Sequence, residues 1–296
     1  MKRWTIFPTF AILFCLVLIF LATTVPNNAR ASSIQPTTVR FQLCLVLDGS
    51  SSLTGTDWNT TIDGIANFIN NSIPKDSTVE LTLVEFGYSS SDGYAKIVLT
   101  PTVVSNANSG TLASQVMALT QGGSGISTAA GIQLAWLAFK GSSNFANASS
   151  HVINLVTEYL PAVRNGEATS DLDGNGVVDA RDDAIEAVVT AAGQGLNELD
   201  VEGVGMDNST ATWFQHYVVW PQVGIVAPPF SKAGWIRTVT NATEFANTIS
   251  QDFPEIVPEF SSIQIIPLLI VATFLAVLIR KRKGLGNVQK HELMIH

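Results

Sequence analysis

The chain has 296 residues, a formal net charge of -8 and only 14% charged residues. At roughly 150 residues per domain, this length allows one large domain or two small ones. The acidic balance argues against a nucleic-acid partner, which requires Lys and Arg clustered on one face. The two cysteines are Cys15 and Cys44. If an N-terminal segment containing Cys15 is removed, stability must come from the core or from bound ions instead of a disulfide.

The first 31 residues have the pattern of a secretory signal peptide. Lys2 and Arg3 precede an apolar stretch over residues 6–22, and Ala29-Arg30-Ala31 provides a small-x-small cleavage site. An uncleaved N-terminal anchor is the alternative interpretation. Residues 32–38 then form a short polar leader.

A strand and a polar loop follow the leader. The run Leu43–Leu47 is apolar throughout, which is typical of a strand buried on both faces of a parallel sheet. Asp48, Ser50 and Ser52 follow it as D-x-S-x-S. A carboxylate and two hydroxyls at alternate positions can converge on one hard cation through oxygen atoms. The alternative is a solvated turn without an ion. Cys44 is expected to be buried in this strand and unreactive.

Predicted helices and strands alternate from there to residue 253. Apolar spacing predicts helices over 58–73, 109–119, 128–139, 183–196, 212–219 and 241–253. Strands are predicted over 43–47, 79–86, 95–104, 152–157, 199–206 and 224–228. The strands at 79–86 and 95–104 form a hairpin. The alternation predicts a doubly wound, mostly parallel α/β sheet with one antiparallel edge strand. Ligands bind to such sheets outside the carboxyl ends of the strands.

Two further loops match the D-x-S-x-S loop. Thr128 begins TAAGIQL, which has the spacing T-x-x-G-x-x-L, and Ser124 is the alternative ligand in that loop. Glu158 follows the strand at 152–157. With these matches, residues 39–253 resemble a von Willebrand factor A domain, which has a Rossmann-like fold. A threonine that only caps a helix is the alternative interpretation of Thr128.

The resemblance implies a metal-ion-dependent adhesion site that holds Mg²⁺ or Mn²⁺. Its ligands would be Asp48, Ser50, Ser52, Thr128 and Glu158. The family has aspartate within Thr-Asp-Gly at the last position, whereas this chain has Thr157-Glu158-Tyr159. Because the additional methylene changes the reach of the carboxylate, we expect Glu158 to be an outer or water-mediated ligand.

A metal site of this kind has an open position that a carboxylate on a protein partner can fill, because few carboxylates surround the cation. The resemblance therefore implies a cell-surface binding or adhesion module and not an enzyme. A structural envelope protein with stabilising ions is one alternative, and a secreted hydrolase is the other. Against the hydrolase, the chain has no G-x-S-x-G or H-E-x-x-H motif. His151 and His216 are expected to be packed or surface residues.

A second ion site is predicted within an insertion at residues 161–182. Residues 171–182 fit a twelve-residue calcium loop of the form D-x-D-x-N-G. The loop is similar to those of dockerin-like modules, since no clear helix precedes it. The alternative is an Asp/Gly-rich surface loop without an ion. The predicted Ca²⁺ ligands are Asp171, Asp173, Asn175, the carbonyl of Val177, Asp179 and Asp182.

The C-terminal region has the features of a membrane anchor. Residues 254–262 form a linker in which Val257-Pro258-Glu259-Phe260 resembles the PEF-type sorting signals of archaeal surface proteins. Residues 263–279 are predicted to form a transmembrane helix, and the basic tail 280–296 is expected in the cytoplasm. The chain is therefore predicted to be anchored to the outer face of a prokaryotic, and specifically archaeal, membrane. Removal of the helix by a sortase-like enzyme is the alternative to a permanent anchor.

Asn-x-Ser/Thr sequons are candidates for glycosylation in an exported chain. They occur at Asn59, Asn70, Asn147, Asn208 and Asn241.

Overall fold

A computed structural model of the protein describes residues 38–221 and 234–252, without the side chains of 251 and 252. The chain divides into two compact units, residues 1–38 and 39–296, and the described elements all belong to the second. The predicted signal peptide, the strand at 224–228 and the C-terminal linker, helix and tail lie outside the described residues. Within the described part of the chain, no helix is long and apolar enough to cross a membrane.

Strands and helices alternate through the described ranges. The strands are β1 (Phe41–Asp48), β2 (Asp76–Phe86), β3 (Ala95–Ser105), β4 (Ser150–Thr157), β5 (Glu198–Val204) and β6 (Ile236–Val239). The α-helices are α1 (Gly55–Asn71), α2 (Ser109–Met117), α3 (Thr128–Gly141), α4 (Ala180–Gly193), α5 (Asn208–Tyr217) and α6 (Ala242–Asp252). A single 3₁₀ turn at Ser90–Asp92 joins β2 to β3.

The strands form one sheet in the order β3-β2-β1-β4-β5-β6. β3 runs antiparallel to β2 at one edge, and the other pairs are parallel. This confirms the predicted mostly parallel sheet with one antiparallel edge strand. The chain leaves β1 toward β2 and later returns to place β4 on the other side of β1. The carboxyl ends of β1 and β4 therefore lie at the topological switch point, where ligands of such sheets bind.

Hydrophobic layers cover both faces of the sheet. Along β1, Leu43, Leu45 and Leu47 pack with α1, α2 and α6, whereas Cys44 and Val46 pack with α3, α4 and α5. This alternation follows from the two-residue period of a strand. Burial raises the pKa of the Cys44 thiol far above its usual range. Cys44 is therefore a core residue, as expected from its position in an apolar strand.

Three helices begin earlier than predicted, and the capping side chains of α1 and α5 show why. α1 begins at Gly55 because the Thr54 hydroxyl accepts the Asp57 N–H at 3.2 Å. α5 begins at Asn208 because the Asp207 carboxylate accepts the Thr210 N–H at 2.8 Å. In both cases the first turn has little apolar surface, so the apolar periodicity does not detect it, while the cap stabilises it.

An acidic pair, one residue buried and the other half-buried, lies on one face of the sheet. Glu198 and Asp200 alternate along β5, so their side chains share one face. Asp200 is fully buried; Oδ1 accepts the Trp235 N–H at 2.9 Å, while Oδ2 accepts no hydrogen bond from a neighbouring donor. Burial raises the pKa of Asp200 well above its usual range, and the nearby charge of Glu198 raises it further. Asp200 therefore favours its neutral form more strongly than an exposed aspartate does.

This pair predicts that stability falls with rising pH. A carboxyl group whose pKa is raised by folding stabilises the protein while protonated, and that contribution is lost as the pH rises through the folded-state pKa. We expect the free energy of unfolding to decrease between pH 5 and pH 8. In Asp200→Asn the decrease should be smaller, since the amide is always neutral. Urea unfolding at both pH values measures this, and an equal decrease in both proteins would contradict the raised pKa of Asp200.

Candidate metal centre

The first loop begins at the buried end of β1. The Asp48 carboxylate is only 2% exposed. Its Oδ1 accepts the Ser50 N–H at 3.0 Å, and Oδ2 accepts the Thr157 hydroxyl at 2.8 Å. The Ser50 and Ser52 hydroxyl oxygens lie 2.5 Å apart. The carboxylate and the two hydroxyls of D-x-S-x-S thus come from one tight loop at the carboxyl end of the sheet.

Hydrogen bonds connect the first loop to the loop that precedes α3. The Gly123 N–H donates to the Gly49 carbonyl at 2.8 Å, and the Ser51 N–H donates to the Ser124 carbonyl at 3.1 Å. The Gln121 side-chain amide donates to the Ser50 carbonyl at 2.6 Å. These bonds fix the two loops relative to each other before any ligand binds.

Thr128 is the first residue of α3 and is fully buried. Its hydroxyl has no hydrogen-bond partner, and neither does that of the neighbouring Ser127. Ser127, not Thr128, occupies the N-cap position, and no side-chain capping bond is present. A buried hydroxyl without a partner costs free energy, so both groups fit a site that is completed by a ligand. Ser124, the alternative ligand, is half-buried.

Gly131 brings the start of α3 against the sheet. A Cβ atom at this position would lie 2.8 Å from Val46 Cγ1 and 3.0 Å from Phe86 Cδ1. The glycine of T-x-x-G-x-x-L therefore allows close packing on β1 and β2. As a result, Thr128, one turn earlier, is held near the carboxyl ends of these strands.

Glu158 is the first residue after β4, and its carboxylate lies in a cleft beside the first loop. The cleft is lined by Asp57, Gly205, Thr240 and Asn241, among others. Asp48 instead lines a smaller cavity with Thr61 and Thr157. The Glu158 backbone thus follows Thr157, which donates to Asp48, while its side chain extends into the neighbouring cleft.

Burial is the main influence on the pKa values of Asp48 and Glu158. It raises the pKa of Asp48, and hydrogen bonds from Ser50 and Thr157 oppose this shift. Burial also raises the pKa of Glu158, and the negative charges of Asp48 and Asp57 raise it further. A nearby divalent cation would stabilise the ionised form of each group.

Comparison with known proteins identifies the family of this chain. The family model of the von Willebrand factor type A domain matches residues 42–216. The chain belongs to the von Willebrand factor A family. No curated protein sequence matches it significantly.

Solved structures with a similar fold include a pilus adhesin and a manganese-loaded protein. The pilus adhesin SpaC from Lactobacillus rhamnosus GG is 12% identical, with a TM-score of 0.51, over 72% of this chain and 30% of SpaC. The manganese-loaded TRAP protein of Plasmodium vivax is 15% identical, with a TM-score of 0.48, over 71% of this chain and 72% of TRAP. The chain thus spans about a third of the adhesin's length, and at this identity the likeness to SpaC extends to the fold alone.

This von Willebrand factor A domain contains a second acidic cluster in its insertion. One carboxylate oxygen from each of Asp171, Asp173 and Asp182 lies within 4.8 Å of the others. Asp171 accepts the N–H groups of Gly174, Asn175 and Gly176, which closes the loop around it. Three of the predicted calcium ligands therefore lie together.

The remaining predicted ligands have other contacts in the loop. Asp179 is the N-cap of α4 and pairs with Arg181 at 2.8 Å. Arg181 also lies 3.4 Å from Asp173. The Asn175 Oδ1 atom accepts the Val177 N–H at 2.9 Å, and Val177 is exposed. A cation at this loop would compete with the Arg181 guanidinium for Asp173 and Asp179.

The structural role of Asp182 explains why an aspartate occupies the last position of the loop. It completes a capping box at the start of α4, since its carboxylate accepts the Asp179 N–H at 2.7 Å. Its other oxygen accepts the N–H groups of Leu172 and Asp173. The helix cap and the loop thus share one short carboxylate at the position where calcium loops commonly have glutamate.

Two contributors to the centre were not predicted from the sequence. Thr157 donates to Asp48 from the end of β4, and Gln121 bridges the two loops from a position 71 residues beyond Ser50. Thr157 directly precedes Glu158 in the Thr-Glu-Tyr sequence of the third loop, so the sequence contained a signal for its role. Gln121 has no sequence motif, because its role depends on the tertiary contact.

The acidic cluster generates a prediction about the insertion. If Ca²⁺ binds to Asp171, Asp173 and Asp182, adding it should slow proteolysis within residues 161–182. The double variant Asp171→Ala and Asp173→Ala should lose this protection, since two of the three clustered carboxylates are removed. Limited proteolysis with and without Ca²⁺ measures the effect. The double variant Asp76→Ala and Asp92→Ala is the control, because it removes the same charge outside the loop. If Ca²⁺ does not change the rate of proteolysis of the unaltered protein, the calcium site is rejected.

Proposed function

We propose that the protein is a cell-surface adhesion module that recognises a carboxylate on a protein partner through a bound divalent cation. The observation that carries this proposal is the buried, unpartnered hydroxyl of Thr128, which ends a loop that is hydrogen-bonded to the loop of Asp48, Ser50 and Ser52. A donor set of one carboxylate and several hydroxyls matches the preference of Mg²⁺ and Mn²⁺ for oxygen. Membership of the von Willebrand factor A family supports the same function.

The chain's own groups account for the recognition chemistry. Asp48 supplies one negative charge, while Ser50, Ser52 and Thr128 supply neutral oxygens. A divalent cation held there supplies a net positive charge and an open coordination position for the partner's carboxylate. The side chain of Glu158 lies in the adjoining cleft, where it can accept a hydrogen bond from a metal-bound water or repel a misplaced acidic group. The hydrogen bonds between the loops limit the rearrangement that binding requires.

Export and anchoring complete the proposal. The N-terminal pattern over residues 1–31 and the apolar segment 263–279 with its basic tail support a domain held on the outer face of the membrane. The Pro-Glu-Phe sequence at 258–260 supports recognition by a sortase-like enzyme in an archaeal cell. Sequons at Asn59 and Asn241 lie on exposed positions of the described domain, which makes both accessible to glycosylation.

Calcium is the second cation that we propose. It would order the insertion through Asp171, Asp173 and Asp182, whose close approach supports this role. Because the insertion immediately precedes α4 and follows Glu158 in the chain, calcium would act next to the adhesion site and would stabilise it without contacting the partner.

The geometry disfavours the hydrolase alternative. His151 is paired in register with Gln42 near the start of β1, whereas Ser50 follows the end of that strand. Its ring stacks on Phe145 with centroids 4.5 Å apart, within an aromatic cluster. His216 is exposed on α5. Histidine is the commonest general base for a serine nucleophile, and neither histidine occupies that position.

The adhesion proposal predicts the effect of removing the central carboxylate. Asp48→Ala should abolish measurable Mn²⁺ binding in isothermal titration calorimetry, because the variant lacks the one charged ligand of the first loop. Asp63→Ala removes an exposed carboxylate from α1 and should leave the affinity unchanged. Circular dichroism checks that both variants are folded.

Partner capture separates adhesion from a purely structural role. The unaltered protein should retain a partner from envelope extract with Mn²⁺ and release it in EDTA, while Asp48→Ala should retain none. If Mn²⁺ binds but no partner is captured in a chelator-sensitive way, the structural envelope function is favoured.

A further inference from the structure

Glu85 is a buried carboxylate close to the metal centre. It lies next to the end of β2, in register with Leu47 of β1, and it is fully buried. Its Oε1 accepts the Gly122 N–H at 2.7 Å, and its Oε2 accepts the Tyr88 hydroxyl at 2.9 Å. Gly122 belongs to the loop that leads to Thr128. Glu85 therefore holds the second loop of the centre from beneath.

The first loop also rests on this carboxylate. A Cβ atom at Gly49 would lie 2.0 Å from Glu85 Oε1, so the backbone between Asp48 and Ser50 passes directly over it. Only glycine permits this approach. Gly122 is similarly constrained, since a Cβ there would lie 2.9 Å from the Gly87 carbonyl oxygen. Glu85 thus fills the junction at which both ligand-bearing loops meet the sheet.

The charge of Glu85 has no direct cationic partner among the described residues. Lys96 acts on Glu85 only through its longer-range charge, because its ammonium group pairs with Asp92 at 3.4 Å and lies 4.0 Å from the Tyr88 ring centroid. The donors that contact Glu85 are a neutral amide and a neutral hydroxyl. Burying an ionised carboxylate costs free energy, and a positive charge close to it offsets that cost.

We infer that Glu85 is a positioning residue of the metal centre, which fixes the first and second loops and supplies a second negative charge without binding the cation directly. The inference rests on the proposed metal-dependent function. Groups that hold the ligands of a metal without contacting it orient those ligands and raise the affinity for the metal, and their substitution commonly lowers that affinity about 10–100-fold. This role has no counterpart in the D-x-S-x-S or T-x-x-G-x-x-L sequences.

The test compares two buried glutamates on the same strand in the full-length protein. Glu85→Gln keeps the size and the oxygen that accepts from Gly122 but removes the charge. Glu80→Gln is the matched control: Glu80 is also buried in β2 and is also held by neutral donors, from Gln42, Ser142 and Asn144. Mn²⁺ calorimetry should show about tenfold weaker binding for Glu85→Gln and unchanged binding for Glu80→Gln.

Thermal unfolding without metal provides the readout for a purely structural role. If Glu85→Gln lowers the unfolding temperature but binds Mn²⁺ as tightly as Glu80→Gln does, the inference is overturned. If Glu85→Gln does not fold, Glu85→Asp decides, because it keeps the charge but is too short to hold Gly122; unchanged Mn²⁺ affinity would also overturn the inference. If the unaltered protein does not bind Mn²⁺, the proposed function itself is rejected. If it binds Mn²⁺ and the Glu85 variants bind it equally tightly, only the role of Glu85 is rejected.

Discussion

The structure depends on how a buried carboxylate is held at the point where the sheet reverses its strand order. Asp48 ends β1, and its two oxygens accept hydrogen bonds from the following loop and from the end of β4. Because burial disfavours its charge, this arrangement requires dense hydrogen bonding and, under our proposal, a positive charge nearby. The remaining features of the centre, including the glycines and the unpartnered Thr128 hydroxyl, are arranged around that requirement.

Under our proposal, the glutamate that replaces aspartate in the third loop changes what the metal-binding face can recognise. Glu158 keeps the negative charge next to Asp48 but carries it into a cleft shared with Asp57. Under our proposal, one carboxylate, that of Asp48, binds the cation, while the carboxylates of Glu158 and Asp57 lie further away in the cleft. The site therefore keeps a net positive charge that attracts a partner's carboxylate, and the two acidic side chains restrict the direction from which that carboxylate approaches.

Both proposed cation sites use short acidic side chains that also have structural roles. Asp182 caps α4, and Asp48 joins β1 to β4. This combination has a physical reason: carboxylates that accept backbone N–H groups are already fixed in place, so less conformational entropy is lost when a cation binds. It also means that ion binding and folding of the loops are coupled, because the same oxygen atoms serve both.

Much of the fold was determined by local patterns in the sequence. The apolar run at 43–47, the hairpin at 79–104 and the helix that begins at Thr128 all appear in the described structure, since burial on one or both faces imposes a readable period. The positions of Asp48, Ser50, Ser52 and Thr128 follow from motifs with fixed spacing. Three of the predicted calcium ligands also lie together because they belong to one short loop.

Only the tertiary structure decided the roles of Glu85, Gln121 and Glu158. In the sequence, Glu85 is one polar residue of a strand and Gln121 is a loop residue outside any motif. Their roles arise because the fold brings both of them to the loops of the proposed metal centre. For Glu158, the sequence shows the charge but not its direction, because one methylene is enough to move the carboxylate into a different cleft. Contacts between residues far apart in the chain depend on how the strands are ordered, and strand order is a property of the whole fold.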